Sequence, residues 1–392
     1  MLHDIMDKNR KLVIGLMSGT SGDGVDAVLC EITGHGIETK VNQLAFVSPE
    51  YTDEVRNRIL KVAGGDFGGS KEICMMNVYL SELFADACEE LCRKAGVDKS
   101  EIDLIGTHGQ TIYHVPIKER YLDRDISATL QIGEASTLVE RIGAVTVSDF
   151  RVRDVAAGGY GAPLVPYTEY ILYSDPERNM GLQNIGGIGN ITVIPKKAKL
   201  EELTAFDTGP GNMVMDNVIF RITNGKMRYD AGGKMAAQGT PNNDLLAELM
   251  KDPYLNVKPP KTTGREYYGN EYVDRIMKKA SELNLSGVDT LSTVTMFTAK
   301  TIAHSALHLC SVTPERLVVG GGGSLNPTLM RYIQECLPGI EVMTNEDLGF
   351  DSSAKEAVAF ALLANECIHS MCNNATSATG ASHPVVMGKI SQ

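Results

Sequence analysis

The sequence predicts an α/β fold built twice over, and three observations carry that expectation. At 392 residues the chain is long for one hydrophobic core, so two domains of ordinary size are expected. Short apolar runs of strand character alternate with longer stretches of helical spacing, the pattern of an α/β chain. After about residue 150 the order of elements starts again. Each half opens strand, glycine turn, strand, strand, and then adds helix–strand units.

In the first half, Lys11–Met17 and Val25–Ile32 read as strands joined by GTSGDG, Gly19–Gly24, a hairpin-type turn. A third strand is expected near Val41–Val47. Tyr51–Val62 and Met75–Ala95 have helical spacing, the latter with Leu80, Leu83, Phe84, Ala87 and Leu91 on one stripe. Ile102–Gly106 is a short strand running into Thr107-His108-Gly109-Gln110-Thr111. Thr129–Ile132 is another, Gly133–Ile142 is helical, and the buried strand Ala144–Val147 delivers Asp149, Phe150 and Arg151. A glycine cluster follows at Ala157-Gly158-Gly159-Tyr160-Gly161-Ala162-Pro163.

The second half begins with strand Met180–Ile185, turn GGIGN (Gly186–Asn190) and strand Ile191–Ile194. Leu203–Phe206 is the third strand, with a helix opening at Asn212. Helices are expected over Asn243–Met250, Tyr272–Leu283, Thr293–Leu309 and Pro327–Cys336, and a last core helix over Ala354–Ile368. Strand Arg316–Val319 runs into GGGGS (Gly320–Ser324), and Ile340–Met343 is the last strand.

A net charge of −12 argues against nucleic acid or an anionic membrane surface as the main partner. It leaves room for a phosphate ligand, because backbone amides can supply a local site. The eight cysteines form no CxxC pair and read as reduced packing residues rather than disulfides or zinc ligands. Met1–Lys11 is polar, and no apolar run approaches the ~20 residues of a spanning helix, so a soluble cytoplasmic protein is expected.

The chemistry is expected at the glycine turns. In Ala205-Phe206-Asp207-Thr208-Gly209-Pro210-Gly211-Asn212 a strand, a glycine turn and a helix N-terminus make an anion site, with backbone N–H groups free for phosphate. Asp207 inside such a turn either caps the helix or holds a metal or removes a proton. The Gly19–Asp26 turn adds Thr20, Ser21, Asp23 and Asp26, and serves equally as a plain hairpin. GGIGN is ambiguous alone, and both turns run into strands, so a dinucleotide fingerprint is not supported. GGGGS does precede a helix and leaves room for a flat ligand such as an adenine and ribose. His108 and the Asp149–Asp154 stretch offer groups suited to a polyhydroxylated ligand or a carboxylate, although a lone His is more often structural. Glu356 reads as a favourable first-turn acid.

Taken together, the N-terminal glycine hairpin, DTGPGN and GGGG resemble the phosphate-1, phosphate-2 and adenosine motifs of the actin/sugar-kinase/Hsp70 superfamily. More narrowly, the chain resembles the anhydro-N-acetylmuramic acid kinases, through GLMSGTSGDGVD (Gly15–Asp26), GTHGQT (Gly106–Thr111), QIGEAS (Gln131–Ser136), SDFRVRDVAAGGYGAPLVP (Ser148–Pro166), NIGGIGNIT (Asn184–Thr192), FDTGPGN (Phe206–Asn212), KTTGRE (Lys261–Glu266), VVGGGGSLNPTLM (Val318–Met330) and TGAS (Thr379–Ser382). The resemblance implies a duplicated actin-like, ribonuclease H-like fold: residues 1–148 joined by the tail 369–392 form one domain, residues 149–368 the other, with a cleft between them.

It also implies an ATP-dependent kinase that phosphorylates the 6-oxygen of 1,6-anhydro-N-acetylmuramic acid while water opens the anhydro bridge, in peptidoglycan recycling. Asp207 would activate the water, with Glu356 close by. Gly19, Thr20, Ser21, Gly22, Asp23, Gly24, Val25 and Asp26 would hold ATP phosphates, with Gly186, Gly187, Asn190, Gly209, Gly211 and Asn212. Gly320, Gly321, Gly322 and Asn326 would take the adenosine. Thr107, His108, Gln131, Arg153 and Asp154 would contact the sugar. Mg²⁺ is implied without assigned ligands, because Met17 stands where the superfamily's phosphate-1 motif usually carries an Asp. A homodimer is implied by family likeness. Another sugar kinase or phosphatase of the superfamily, or a nucleotide-gated sugar sensor, is the alternative; no basic helix-turn-helix pattern is found for the sensor.

Overall fold

A computed structural model describes residues 2–65 and 68–392. Its strands are β1 (Arg10–Ser18), β2 (Asp26–Thr33), β3 (Lys40–Val47), β4 (Leu104–Tyr121), β5 (Arg124–Ile132), β6 (Val145–Ser148), β7 (Met180–Ile185), β8 (Ile188–Ile194), β9 (Thr204–Pro210), β10 (Arg316–Gly320), β11 (Glu341–Thr344) and β12 (Lys389–Ser391). They form two sheets in two compact units, Met1–Leu172 with Gly349–Gln392, and Tyr173–Leu348.

The two sheets share one plan. In the first unit the order is β12-β6-β4-β1-β2-β3, with β5 paired to β4. Strands β1, β2 and β3 form an antiparallel meander, and β4 and β6 continue the sheet parallel to β1. In the second unit the order is β11-β10-β7-β8-β9, with β7, β8 and β9 as the meander and β10 and β11 parallel to β7. Parallel neighbours need long crossovers, which the helices supply. The duplication read from element order is therefore real at the level of strand pairing: this is the duplicated actin-like, ribonuclease H-like α/β architecture.

Both faces of the first unit's sheet are covered. Ile14 and Leu16 join a core with Leu80, Phe84 and Leu91 of the helix Ser70–Ala95. Gly15, between them, points the other way, as alternation along a strand requires. An added Cβ there would lie 1.9 Å from Ala357 O, and one at Gly106 of β4 would lie 2.0 Å from Phe360 O. The helix Lys355–Ile368 thus rests its backbone directly on these two glycines, an approach only glycine permits.

That packing corrects the expected domain limits. Residues 149–172 and 349–368 belong with the first unit, since the helix Lys355–Ile368 contacts β1, β2, β4 and β6. Thr107–Thr111 is not a loop after a strand but the middle of β4, paired to β5. The helices Phe150–Ala156 and Val165–Tyr173 and strand β12 were not foreseen. All eight cysteines are free, but Cys74 and Cys372 are exposed and so are not packing residues.

In the second unit the core gathers Val214, Val218, Val294, Phe297, Ile302, Leu329 and Ile333 around the helix Gly287–His308. Buried threonines line that helix and satisfy their hydroxyls on its own carbonyls, Thr290 on Ser286, Thr293 on Asp289 and Thr295 on Leu291. No helix among the described residues is long and apolar enough to cross a membrane.

Candidate active site

Strand β9 is the edge of the second unit's sheet, and it carries Asp207. On one side Asp207 stands opposite Asn190 of β8, which stands opposite Asn184 of β7, so three polar side chains lie abreast on one face. On the open side, the segment Lys261–Thr263 closes the edge. The Asp207 N–H donates to Lys261 O at 3.2 Å, and Tyr254 OH donates to Asp207 O at 3.0 Å. Asp207 Oδ2 accepts from Thr262 Oγ1 at 2.8 Å and from the Thr263 N–H at 2.9 Å. Oδ1 accepts no hydrogen bond from the described residues, and the side chain is half-buried.

Lys261 supports the arrangement from behind. Its Nζ lies 4.4 Å over the Tyr254 ring and donates to Tyr254 O at 3.3 Å. Burial pushes its pKa down to about 8, against the opposing pull of the Asp207 and Asp252 carboxylates.

The turn after Asp207 differs from expectation. The N–H groups of Gly211, Asn212 and Met213 are not free for an anion. They donate to Gly187 O at 3.0 Å, Gly186 O at 2.7 Å and Gly187 O at 3.1 Å. The two glycine turns are therefore buckled together, and the helix Asn212–Ile222 has its first amides satisfied by protein. A Cβ at Gly211 would meet Gly186 O at 2.3 Å, which explains that glycine by close approach. An anion at this turn would have to meet outward amides and side chains, not those three groups.

GGGGS packs against the same turns. A Cβ at Gly321 would meet Asn184 Oδ1 at 2.6 Å, and one at Gly323 would meet Ile185 Cγ2 at 2.3 Å. Only Gly322 is exposed, with Asn212 Nδ2 3.5 Å from its would-be Cβ. Asn326 accepts from Leu329 N at 3.0 Å and is the N-cap of the helix Pro327–Cys336. In the second unit, then, Gly186, Gly187, Asn190, Asp207, Gly209, Gly211, Asn212 and Gly320–Gly322 do converge.

In the first unit the Gly19–Asp26 turn is anchored from below. Ser18 Oγ lies within hydrogen-bonding distance of Gly24 O (2.9 Å), Tyr51 OH (2.9 Å) and Gln110 Oε1 (2.7 Å). Gln110 Nε2 donates to Gly19 O at 3.0 Å. A Cβ at Gly24 would meet Pro49 O at 2.4 Å. Asp23 pairs with Arg56 at 2.8 Å, and Asp26 accepts from Ser48 Oγ at 2.6 Å. The N–H groups of Thr20, Ser21 and Asp23 make no backbone hydrogen bond among the described residues, as a phosphate-holding turn requires. Val25 is buried.

The sugar-facing expectations divide. His108 is 4% exposed, its Nδ1–H donates to Gly109 O at 2.7 Å, and its Nε2 accepts from Arg151 Nε at 2.9 Å. Burial, then the charge of Arg151, depresses its pKa to about 3, so the ring is neutral. Both nitrogens are taken, so His108 acts by orienting Arg151, whose guanidinium also meets Gly161 O at 2.6 Å and feels Glu356. Asp154 is wholly buried and accepts from Gly161 N, Asn374 Nδ2 and Thr379 Oγ1, clamping the glycine cluster and the TGAS segment rather than facing a ligand. Thr107 is buried and accepts from Gly109 N at 3.2 Å. Arg153 and Glu356 are exposed, the latter in the first turn of the helix Lys355–Ile368. Gln131 Nε2 donates to Thr129 and Thr111 hydroxyls, while its Oε1 has no partner among the described residues and lies beside a cavity of about 680 Å³ bounded by Asn77, Glu134, Asp149 and Lys389.

Sequence reasoning gave no role to Ser18 or Tyr254, left Gln110 and Arg151 inside longer ligand-facing stretches without individual roles, and met Thr262 and Thr263 only within the motif Lys261–Glu266. The signal for the last two was the polar run Lys261-Thr262-Thr263-Gly264-Arg265-Glu266, which no periodicity explains.

The profile described as anhydro-N-acetylmuramic acid kinase matches residues 11–392. The chain is 53% identical to the anhydro-N-acetylmuramic acid kinase of Caldanaerobacter subterraneus subsp. tengcongensis, over 99% of this chain and 98% of that one. It is 45% identical to the enzyme of the same name from Clostridioides difficile, over 96% and 97%. Among solved structures, an activator of 2-hydroxyisocaproyl-CoA dehydratase from Clostridium difficile with bound ADPNP matches at 12% identity and TM-score 0.42, covering 91% of this chain and 96% of that one. Such a profile match and such identity over nearly the whole length leave one assignment: the chain belongs to the anhydro-N-acetylmuramic acid kinase family.

Proposed function

We propose that the chain is an ATP-dependent kinase that hydrolytically opens 1,6-anhydro-N-acetylmuramic acid and phosphorylates its 6-oxygen, giving N-acetylmuramic acid 6-phosphate in peptidoglycan recycling. Family membership supports the substrate, and one observation supports the chemistry. Asp207 has one carboxylate oxygen fixed by two donors and the other unengaged, which suits a base that takes a proton from water. The water oxygen attacks the anomeric carbon and the C1–O6 bond breaks. The electron pair left on O6 takes the γ-phosphoryl group as its bond to the bridging oxygen of the β-phosphate breaks and ADP leaves, and the water's proton goes to Asp207. A separate acid for the leaving oxygen is unnecessary, because phosphorylation captures it. Phosphoryl transfer asks mainly for positioning and charge neutralisation. Glu356 is assigned a supporting role, its charge directed at Arg151 within its own unit.

The outward amides of the Gly19–Asp26 turn, Asn184 and Asn190 beside Asp207, and the exposed Gly322 are each suited to ATP. For Mg²⁺, no group of three or more His, Cys, Asp or Glu is gathered for a metal among the described residues. The described residues therefore offer no metal cage of their own, no protein ligand is assigned, and no step here is routed through the ion. A cytoplasmic homodimer accords with the family. The test is phosphate transfer from Mg-ATP to the anhydro sugar set against ordinary hexoses. Transfer confined to the anhydro sugar supports the proposal, hexose phosphorylation favours another sugar kinase, and ATP hydrolysis without sugar phosphate favours a sensor.

A further inference from the structure

The segment Lys261–Thr263 does more than close a sheet edge. Three hydrogen bonds tie it to one residue: Lys261 O takes the Asp207 N–H, and Thr262 Oγ1 and Thr263 N donate to Asp207 Oδ2. The partners lie 55 residues apart in sequence for the Thr262 bond and 56 for the Thr263 bond. The segment is itself held in place. Lys261 is buried with its ammonium over the Tyr254 ring, Tyr254 OH returns to Asp207 O, and Gly264 O accepts from Tyr267 N and Tyr268 N. Tyr267 OH then donates to Asp252 Oδ1 at 2.7 Å, tying the far end to the turn that carries Tyr254.

We infer that Thr262, through its hydroxyl, is a positioning residue for the reaction: it fixes the rotation of the Asp207 carboxylate so that Oδ1 is presented to the attacking water. This inference rests on the reading of Asp207 as the base. The reasoning is geometric. A carboxylate on an edge strand turns freely about its Cβ–Cγ bond unless one oxygen is tied down, and a base one ångström out of line loses much of its worth. Two donors on the same oxygen fix that rotation and leave the other oxygen as the proton acceptor. The amide of Thr263 is backbone, removable only by a proline that would also refix the local chain, whereas the hydroxyl of Thr262 can be removed by itself. Because Thr262 is exposed, removing its hydroxyl leaves no buried group unpaired and does not threaten the fold.

The experiment compares Thr262→Val, Thr262→Ser and Asp207→Asn in steady-state turnover of anhydro sugar and Mg-ATP, with unfolding midpoints recorded for each. Val keeps the shape and deletes the donor, and one of the two clamping bonds remains. We expect kcat to fall about 10-fold, the size of one charge-assisted bond at an exposed site, with both KM values and the midpoint unchanged. Ser restores the donor and is expected to return kcat to within about twofold of wild type. Equal losses in Val and Ser, a rise in KM alone, or full activity in Val while Asp207→Asn is crippled would each overturn the positioning role and leave the base intact. Near wild-type turnover of Asp207→Asn would instead remove the base, and the clamp with it.

Discussion

Replacing Asp207 by Asn removes a proton acceptor while disturbing little else. Asp207 Oδ2 receives the Thr262 hydroxyl and the Thr263 amide, and an Asn side chain can offer its single carbonyl oxygen to the same two donors. Its NH₂ then stands where the unengaged Oδ1 stood, isosteric but unable to take a proton. The backbone bonds to Lys261 O and from Tyr254 OH do not involve the side chain and persist. The loss is thus that of a positioned base, about 10²–10⁴-fold in kcat. At about 1.36 kcal/mol per decade this is roughly 2.7–5.4 kcal/mol added to the barrier. The assay is ADP release coupled to a reporter enzyme, with sugar and ATP affinities measured separately by calorimetry. Affinities within about threefold of wild type with kcat down by at least about a hundredfold are expected. A variant that turns over at close to the wild-type rate would refute the role given to Asp207.

Asp154→Ala would leave Gly161 N, Asn374 Nδ2 and Thr379 Oγ1 without their buried acceptor, at a cost of about 3 kcal/mol or more in denaturant unfolding. A raised sugar KM with an unchanged unfolding midpoint would instead mark Asp154 as a ligand contact. Gly106→Ala puts a Cβ 2.0 Å from Phe360 O and should cost about 3 kcal/mol of stability, read from urea melts. An unchanged midpoint would contradict the close rest of the helix Lys355–Ile368 on β4. His108 has its pKa lowered to about 3 from the ordinary 6.5, so the fold favours its neutral form. Its stabilisation is complete above pH 6.5 and is lost as pH falls towards 3, roughly 2 kcal/mol of it by pH 5. Histidine NMR should show His108 untitrated between pH 7 and 5, and a titration near 6.5 would contradict its buried bonds.

Much of this architecture was written locally. The apolar runs of β1, β7 and β10 and the helix Pro327–Cys336 with its Asn326 cap announce themselves by period and by turn chemistry. What local pattern could not carry was pairing over distance. Gly109 reads as a turn residue, yet it sits inside β4, where pairing with β5 and a register shift between Leu16 and Ser18 accommodate it. The helix Lys355–Ile368 could be seen, but not its seat on Gly15 and Gly106, which lie far earlier in the chain. The amides of Gly211, Asn212 and Met213 read as free because their acceptors, Gly186 O and Gly187 O, belong to another turn. For the same reason Asp154 and His108 read as ligand groups: their partners at Thr379, Asn374 and Arg151 come from elsewhere in the chain. Asp207 stood out because an acid in a glycine turn is conspicuous; Lys261–Glu266 stood out as a motif, but that Thr262 and Thr263 clamp Asp207 follows from no period and could not be read from it.

The most direct measurement of the central claim follows oxygen. With anhydro sugar and Mg-ATP in ¹⁸O-labelled water, a water activated by Asp207 must end on the anomeric carbon while the original bridge oxygen becomes the phosphate ester. Mass spectrometry of the product should find one ¹⁸O in the C1 hydroxyl and none in the transferred phosphate. Label in the phosphate, or an unlabelled C1 oxygen before any anomeric exchange, would contradict a base that directs water at the sugar.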